Sequence, residues 1–381
     1  MQRTANPWMP VRFRPWPPLQ IKMINKITIT DFRNHVLSRI EINGARNVVI
    51  TGSNGAGKTA ILEAVSLLSG DRGLRGVDTQ MLARFGGNGG FSVFATTDDD
   101  TDICVFLNSG EKNRHAKIDN ENVALSELAK KLRIVWLTPR EDRVFVESAS
   151  ERRTFFDRLV TNFESSHIGR ITRLNKLLSE RAGAIKSNAD NTWLDVIDRQ
   201  IASTAIAIGA GRIRYASEIN YFLKSGSVSV DGMIEKLIIK NTAINSEQKY
   251  FDYLKENRGL IGDKMTIDGA HKSDFGVFNN VLGLPTNITS TGQQKSILID
   301  LILAHAKLIN IKTGQNPLIL LDEAITHLDD NACKKLFSEL NDAKAQVWVS
   351  GIHNDIFNDI PDTVFVTCQD GKISNIVNGR R

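Results

Sequence analysis

Cysteine is scarce in this chain. Cys104, Cys333 and Cys368 are the only three, scattered and odd in number. They form no CxxC and no Cys/His pairing, so the sequence offers neither a zinc site nor a disulfide framework. They read as reduced thiols of a cytoplasmic protein. Proline is scarce too, nine in 381 residues, and five of the nine fall within residues 1–22. That segment lacks the apolar core of a signal peptide, and its prolines interrupt any amphipathic targeting helix. It reads as a disordered extension, with Met23 a candidate working start. Nowhere is there an apolar run of about 18 residues, so no membrane-spanning helix is expected. Excess charge is also absent from most of the chain. Arg3, Arg12, Arg14 and Lys22 supply four of the net +5, with no acid among residues 1–22. The remainder is nearly neutral, so a nucleic-acid partner cannot be argued from global charge and needs a local patch.

What is present is an ordinary globular composition, 41% hydrophobic and 24% charged, long enough for two or three domains. Alternation predicts strands at 26–32, 39–43 and 47–51, a helix at 59–68, and antiparallel strands across 91–118. IVWL at 134–137 is a further strand. From 151 to 224 the pattern turns helical: Phe155, Phe156, Leu159, Val160 and Phe163, then Leu174, Leu177, Leu178 and Arg181, recur at helical spacing. A polar break at 188–191 divides two long helices, as in an antiparallel hairpin. Residues 225–288 are mixed and glycine-rich. A helix follows to 309, then a strand at 318–322, a helix at 330–343, a strand at 346–350 and a strand pair near 363–376. Strands alternate with helices at both ends, which suggests one α/β domain built from both termini. The expected division is an extension at 1–22, an ATPase lobe from 23–150 and 285–381, and a helical lobe at 151–284.

GSNGAGKT at 52–59 fits the phosphate-binding pattern G-x-x-x-x-G-K-[ST]. Gly52, Gly55 and Gly57 let backbone amides turn inward around phosphate oxygens, with Ser53, Asn54 and Ala56 completing the loop. Lys58 supplies a point charge to the β and γ phosphates, and the Thr59 hydroxyl is placed to ligate Mg²⁺. The helix that starts here directs its positive end at the anion. LILLDE at 318–323 is the matching half. Its apolar strand delivers Asp322 to the sheet edge to hold Mg²⁺, and Glu323 follows to polarise an attacking water. A third stretch, TSTGQQKSILIDLI at 289–302, sets a polar, backbone-exposing knot before an apolar helix. Ser290, Gly292 and Gln293 there form a second anion-binding helix start.

TSTGQ resembles the LSGGQ signature of ABC-type ATPases, which caps the γ-phosphate of a nucleotide held by a second protomer. THLD at 326–329 resembles the D-loop, with Asp329 at the position of its interfacial aspartate. Over nearly all of residues 24–370 the chain is similar to the RecF family of bacterial recombination mediators. The supporting stretches are ITDFRNH at 29–35, the run at 50–76 that contains the glycine loop, and TPRED with ERRTFFD at 138–157. Further support comes from AGRIRYASEI in the helical pair, DGAHKSD at 268–274, STGQQKSILIDLILAHAKLI at 290–309 and PLILLDEAITHLD at 317–329. The resemblance implies an α/β fold: an ABC-type P-loop ATPase head, plus a mainly helical second lobe with a short antiparallel helical arm. It implies ATP and Mg²⁺ as cofactors, and an ATP-dependent homodimer in which the signature acts in trans. Weak ATP hydrolysis would serve as a dimer switch. Partners would be duplex DNA beside single-stranded gaps, bound without sequence preference, and RecO- and RecR-like proteins that help load recombinase.

The chain departs from the family at several points. Ala270 and Lys272 replace a proline and an arginine in GAHKSD, and the last strand of the site ends in Asp322–Glu323 where two aspartates are usual. VWVSGIH resembles the switch region of transporter ATPases, but His353 falls too late and reads as a surface residue. No Q-loop glutamine is apparent near TPRED. Three basic clusters, Arg72 with Arg75, Lys130 and Lys131 with Arg133, and Arg152 with Arg153, are either solvated faces or walls of a shared groove for DNA phosphates. An SMC-like structural head is the alternative reading; it needs a longer coiled coil than 151–224 supplies. A transporter subunit lacks support.

Overall fold

The computed structural model describes residues 23–224, 235–240, 245–259, 267–279, 283–323, 330–351, 357 and 360–378. Residues 1–22, the THLD stretch with Asp329, and His353 lie outside them.

The chain begins with an antiparallel pair, β1 (Ile24–Phe32) and β2 (His35–Glu41). β2 starts earlier than the alternation at 39–43 suggests. Arg33 adopts a left-handed conformation, φ 53°, and closes the turn without glycine or proline to announce it. β3 (Asn47–Thr51) runs through the loop 52–57 into α1 (Lys58–Leu67). β4 (Phe91–Thr97), β5 (Asp102–Leu107), β6 (His115–Ile118) and β7 (Glu121–Val123) complete an antiparallel sheet of order β2-β1-β4-β5-β6-β7. α2 (Leu125–Lys131) leads to β8 (Ile134–Leu137). Then come α3 (Ala149–Thr161), α4 (His167–Lys186) and α5 (Asn191–Lys224). β9 (Glu235–Lys240), α6 (Glu247–Glu256), β10 (Asp274–Asn279) and β11 (Leu284–Pro285) follow, the three strands forming one small sheet. α7 (Thr291–Thr313), β12 (Leu318–Asp322), α8 (Asp330–Asp342), β13 (Gln346–Ser350), β14 (Thr363–Gln369) and β15 (Lys372–Asn378) end the chain.

The second large sheet joins both ends of the sequence. Its order is β15-β14-β3-β13-β12-β8, parallel throughout except for the β14–β15 pair. Every residue of β8, β12 and β13 is buried, as expected of a parallel sheet covered on both faces. The two-residue period sorts their side chains. Val48, Ile50, Trp136, Leu320 and Trp348 join α1 and the antiparallel sheet in one core. Val49, Leu137, Leu321 and Val349 join α3, α7 and α8 in another.

Held between the two sheets, α1 is buried almost all round. Ile61, Leu62, Val65 and Leu67 are fully covered, each worth about 1.5–3 kcal/mol. That gain offsets the burial of Glu63, which two 2.8 Å bonds from the Arg33 guanidinium neutralise. Gln346 staples the sheets together: its buried side chain bonds both the N–H and the C=O of Ile24, at 2.9 and 2.8 Å.

α5 has 34 residues and is therefore about 51 Å long. It serves two cores. Ile197, Ile201 and Ile208 pack with Leu174 and Leu177 of α4 and with Tyr250, Phe251 and Leu254 of α6. Tyr215, Ile219 and Leu223 pack into the core of the parallel sheet. α6 thus covers one side of the antiparallel α4–α5 arm and makes it part of a packed lobe. Arg181, which falls in the apolar rhythm of α4, is buried there because Asp198 takes its Nε at 2.7 Å. No helix among the described residues is long and apolar enough to cross a membrane.

Candidate functional site

The glycine loop leaves the carboxyl end of the central strand β3, where open α/β sheets place ligands. Residues Gly52–Gly55 face solvent and Ala56 is buried beneath them. Two glycines are dictated by geometry. Gly52 has φ 145°, and a Cβ there would stand 2.2 Å from the Cys368 carbonyl. Gly57 has φ 112°, and a Cβ there would stand 2.5 Å from His35 Nε2. Lys58 curls back over the loop and donates to the carbonyls of Gly52 and Ser53, both at 2.9 Å. The ammonium is therefore held above the N-terminus of α1, where helix dipole and amides already favour an anion.

Asp322 ends β12 beside this helix. The Thr59 hydroxyl donates to Asp322 Oδ1 at 3.0 Å, and the Ser350 hydroxyl donates to the same oxygen at 2.5 Å. Hydroxyl and carboxylate oxygens in contact suit Mg²⁺, a hard cation that takes few protein ligands and keeps its waters and a phosphate. Thr59 and Asp322 would hold it. Glu323 turns away from the strand in a left-handed conformation, φ 53°, and lines the cleft with Asn54, Lys58 and Thr59. Gly351 makes room for it, since a Cβ at 351 would lie 2.8 Å from Glu323 Cγ.

Sequence reasoning missed the residues that brace the loop. Asn34 Nδ2 donates to the Gly55 carbonyl at 3.3 Å, and His35 Nε2 donates to that of Gly57 at 3.1 Å. A carbonyl only accepts, so His35 carries its proton on Nε2, and Nδ1 accepts from the Ser38 hydroxyl at 2.8 Å. Burial lowers the His35 pKa and keeps the ring neutral, although its backbone hydrogen bonds pull the other way. From the far end of the chain, the Gly371 N–H and the Cys368 thiol both donate to the Ala56 carbonyl. The only signal for the β1–β2 turn was the stretch ITDFRNH. Ser350, Cys368 and Gly371 carried none, because strand pairing alone brings them in.

The signature stretch sits elsewhere. Ser290 caps α7: its Oγ accepts from the Gln293 N–H at 3.4 Å, and Gln293 Oε1 accepts from the Ser290 N–H at 3.0 Å. A hydroxyl that accepts this way keeps its own proton to donate. Ser290 and Gly292 are exposed, and a Cβ at Gly292 would meet nothing. None of the described residues lining the glycine-loop cleft comes from 289–293. Lys295 of α7 pairs with Asp142 at 2.8 Å, which ties the signature helix to the TPRED turn.

The blocks ERRTFFD and GAHKSD meet each other. Arg152 pairs with Asp274 through two bonds of 2.8 and 2.6 Å, and Arg153 donates to the Ser273 carbonyl at 3.1 Å. Asp157 takes both arms of Arg212, at 2.7 and 2.8 Å, and His167 Nε2 at 2.9 Å. Burial pushes the Asp157 carboxyl up, but these partners outweigh it and hold its pKa below the usual range. Three of the cluster arginines, Arg152, Arg153 and Arg133, therefore need correction as open cations, whereas Lys130 stays exposed beside Glu127. Arg152 and Arg153 are bound to their own chain, and Arg133 donates to Gln315 Oε1 at 2.9 Å while burial lowers its pKa to about 10. Arg75 is different: it lines the cleft beside Lys58.

Residues 23–375 match the family described as "RecF/RecN/SMC N terminal domain". The RecF DNA replication and repair protein of Rhizobium leguminosarum bv. trifolii is 33% identical over 368 residues, covering 92% of this chain and 98% of its own. That of Brucella abortus is 31% identical over 370 residues, covering 93% and 96%. A solved recombination mediator protein RecF, in a structure named for ATP and the RecFOR pathway, superposes with a TM-score of 0.80 at 22% identity, covering 94% and 98%. An Smc head domain from Pyrococcus furiosus reaches 0.53 at 16% identity, covering 94% and 96%. The fold follows the first of these more closely than the second, and with full-length relatives above 30% identity the chain belongs to the RecF family.

Proposed function

We propose that this protein binds ATP with Mg²⁺, pairs with a second copy of itself around two nucleotides, and in that state grips duplex DNA beside single-stranded gaps. RecO- and RecR-like partners would then help it load recombinase. The observation that carries the reading is the separation of two anion sites. Lys58, Thr59, Asp322 and Glu323 share one cleft, while Ser290 and Gly292 present a capped helix start that does not line it. In the proposed mechanism the loop amides and Lys58 bind the triphosphate, and Mg²⁺, which Thr59 and Asp322 would hold, would supply further positive charge against it. Ser290 Oγ of one subunit donates to the γ-phosphate held by the other. Glu323 orients a water and accepts its proton, and the loss of the γ-phosphate removes the contact that held the pair. Slow hydrolysis thus times release rather than driving work.

Ser290→Arg tests the arrangement. The variant should bind ATP like the wild type but stay monomeric in ATP by sedimentation, and it should lose ATP-dependent retention on gapped DNA at fixed salt. An ATP-dependent dimer from Ser290→Arg would refute the trans arrangement. Lys58→Ala, run beside it, should lose ATP binding itself.

A further inference from the structure

The cleft around the glycine loop measures about 560 Å³, within the range of small-molecule sites. Its lining is of two kinds. Gly55, Gly57, Lys58 and Thr59 present phosphate-binding groups, whereas Met81, Ala83 and Phe85 present an apolar surface. Phe85 is the one aromatic ring among the described lining residues, and it is 100% exposed. Met81 is 64% exposed.

Single bare apolar side chains are common on proteins, but the segment leading to this one is held in place. Arg84, its neighbour, donates through its backbone N–H to the Asp31 carbonyl at 2.8 Å and through Nε to Asp31 Oδ1 at 2.7 Å. Ala83 bridges Phe32, and Leu82 is buried. Arg33 ties the same segment twice, from its N–H to the Leu82 carbonyl at 2.8 Å and from Nη1 to the Met81 carbonyl at 2.9 Å. Asn34 and His35, the next two residues, brace the glycine loop. One turn therefore fixes both the loop and the segment that carries the ring. Pre-organisation of this kind is what a binding site requires of its contact residues.

We propose that Phe85, backed by Met81, is the platform on which the base of the bound nucleotide stacks. The proposal rests on the nucleotide reading above. A nucleotide is an anion at one end and a flat aromatic ring at the other. The loop and Lys58 take the anion, and Phe85 supplies the matching ring face within the same cleft. Stacking uses the π-face that every base has, so it sets affinity for nucleotides as a class and favours the larger purines.

The test is calorimetric titration of dilute wild type, Phe85→Ala, Phe85→Trp and Lys58→Ala with ATP, ADP and inorganic tripolyphosphate. Phe85→Ala should weaken ATP and ADP by about tenfold to a hundredfold and leave tripolyphosphate unchanged. Phe85→Trp should restore both nucleotides. A fully exposed ring contributes little to folding, so the melting temperature of Phe85→Ala should match the wild type. Unchanged ATP and ADP affinity in Phe85→Ala overturns the proposal, including when only ATP-dependent self-association falls, which would assign the ring to a protein interface. Equal weakening of tripolyphosphate also overturns it, because the loop itself would then have moved. Lys58→Ala should lose all three ligands. A wild type that binds none of them overturns the nucleotide reading together with this one, whereas a failure confined to Phe85→Ala leaves that reading standing.

Discussion

Thr59 and Asp322 stand 263 positions apart in the chain, yet the hydroxyl of one donates to the carboxylate of the other at 3.0 Å. Thr59 is the second residue of α1, directly after Lys58, and Asp322 closes β12. The two oxygens already lie 3.0 Å apart, and Thr59 and Asp322 would hold Mg²⁺ once the hydroxyl proton turns away from the carboxylate.

Asp322→Asn removes the charge and keeps the shape. With excess Mg²⁺, ATP affinity should fall by about tenfold, the scale of one charge-assisted contact. EDTA should weaken the wild type by a similar factor and leave the variant almost unchanged. Titration calorimetry with and without EDTA reads this directly. A variant that still responds to EDTA like the wild type would remove Asp322 from the metal site.

Glu323 lies in the left-handed region at φ 53°, where a side chain other than glycine costs on the order of 1–3 kcal/mol. Strain of that size at the edge of a cleft points to use. Glu323→Gln should retain ATP and slow phosphate release by about a hundredfold to ten-thousandfold, which would prolong the ATP-held pair. Glu323→Gly should abolish hydrolysis equally but relieve the backbone, raising stability by about 1 kcal/mol after the entropic cost of glycine. Phosphate release and thermal melting of the two variants separate chemistry from strain. A less stable Glu323→Gly would contradict the strain argument.

His305 is fully buried in α7. Asn162 Nδ2 donates to its Nε2 at 3.1 Å, which leaves Nδ1 to donate to the Tyr215 hydroxyl at 2.8 Å. Burial, aided by the charges of Arg158 and Arg133, lowers its pKa to about 3. The unfolded chain titrates near 6.5. Between those values the unfolded state binds a proton that the folded state refuses, so stability rises with pH through this window. As pH falls from about 6.5 towards 3, stability should drop by up to about 1.4 kcal/mol per unit from this group. Denaturant melts from pH 7 to pH 4 should show the slope, and His305→Gln should flatten it. An unchanged slope in that variant would assign the acid sensitivity elsewhere.

Much of the site was legible because its chemistry is local in sequence. GSNGAGKT, LILLDE and the capped start of α7 each fit within a few residues, and short apolar runs such as IVWL and LILLD made the parallel strands plain. What escaped depends on partners that sequence spacing cannot show. Arg152 looked like a free cation because Asp274 lies 122 positions away. Asn34 and His35 carried no role within ITDFRNH because the loop they brace begins on another strand, and Cys368 and Gly371 reach it only through the pairing of β14 with β3. The early start of β2 was hidden by Arg33, whose left-handed backbone does the work a glycine would have advertised. Arg181 kept the apolar rhythm of α4 by burying its charge against Asp198.

α5 joins the parallel-sheet core to the helical lobe. This helix is bonded to the signature helix at Tyr215–His305 and at Glu218–Lys312, both near its carboxyl end, while its amino half carries the helical lobe. The stretch from Tyr215 back to Asn191 is about 36 Å long and converts angle into distance: one degree of rotation at Tyr215 displaces the far end by about 0.6 Å. The lobe is thus the needle of a gauge whose spindle is the signature helix, and rotations too small to see at the cleft become legible at its tip.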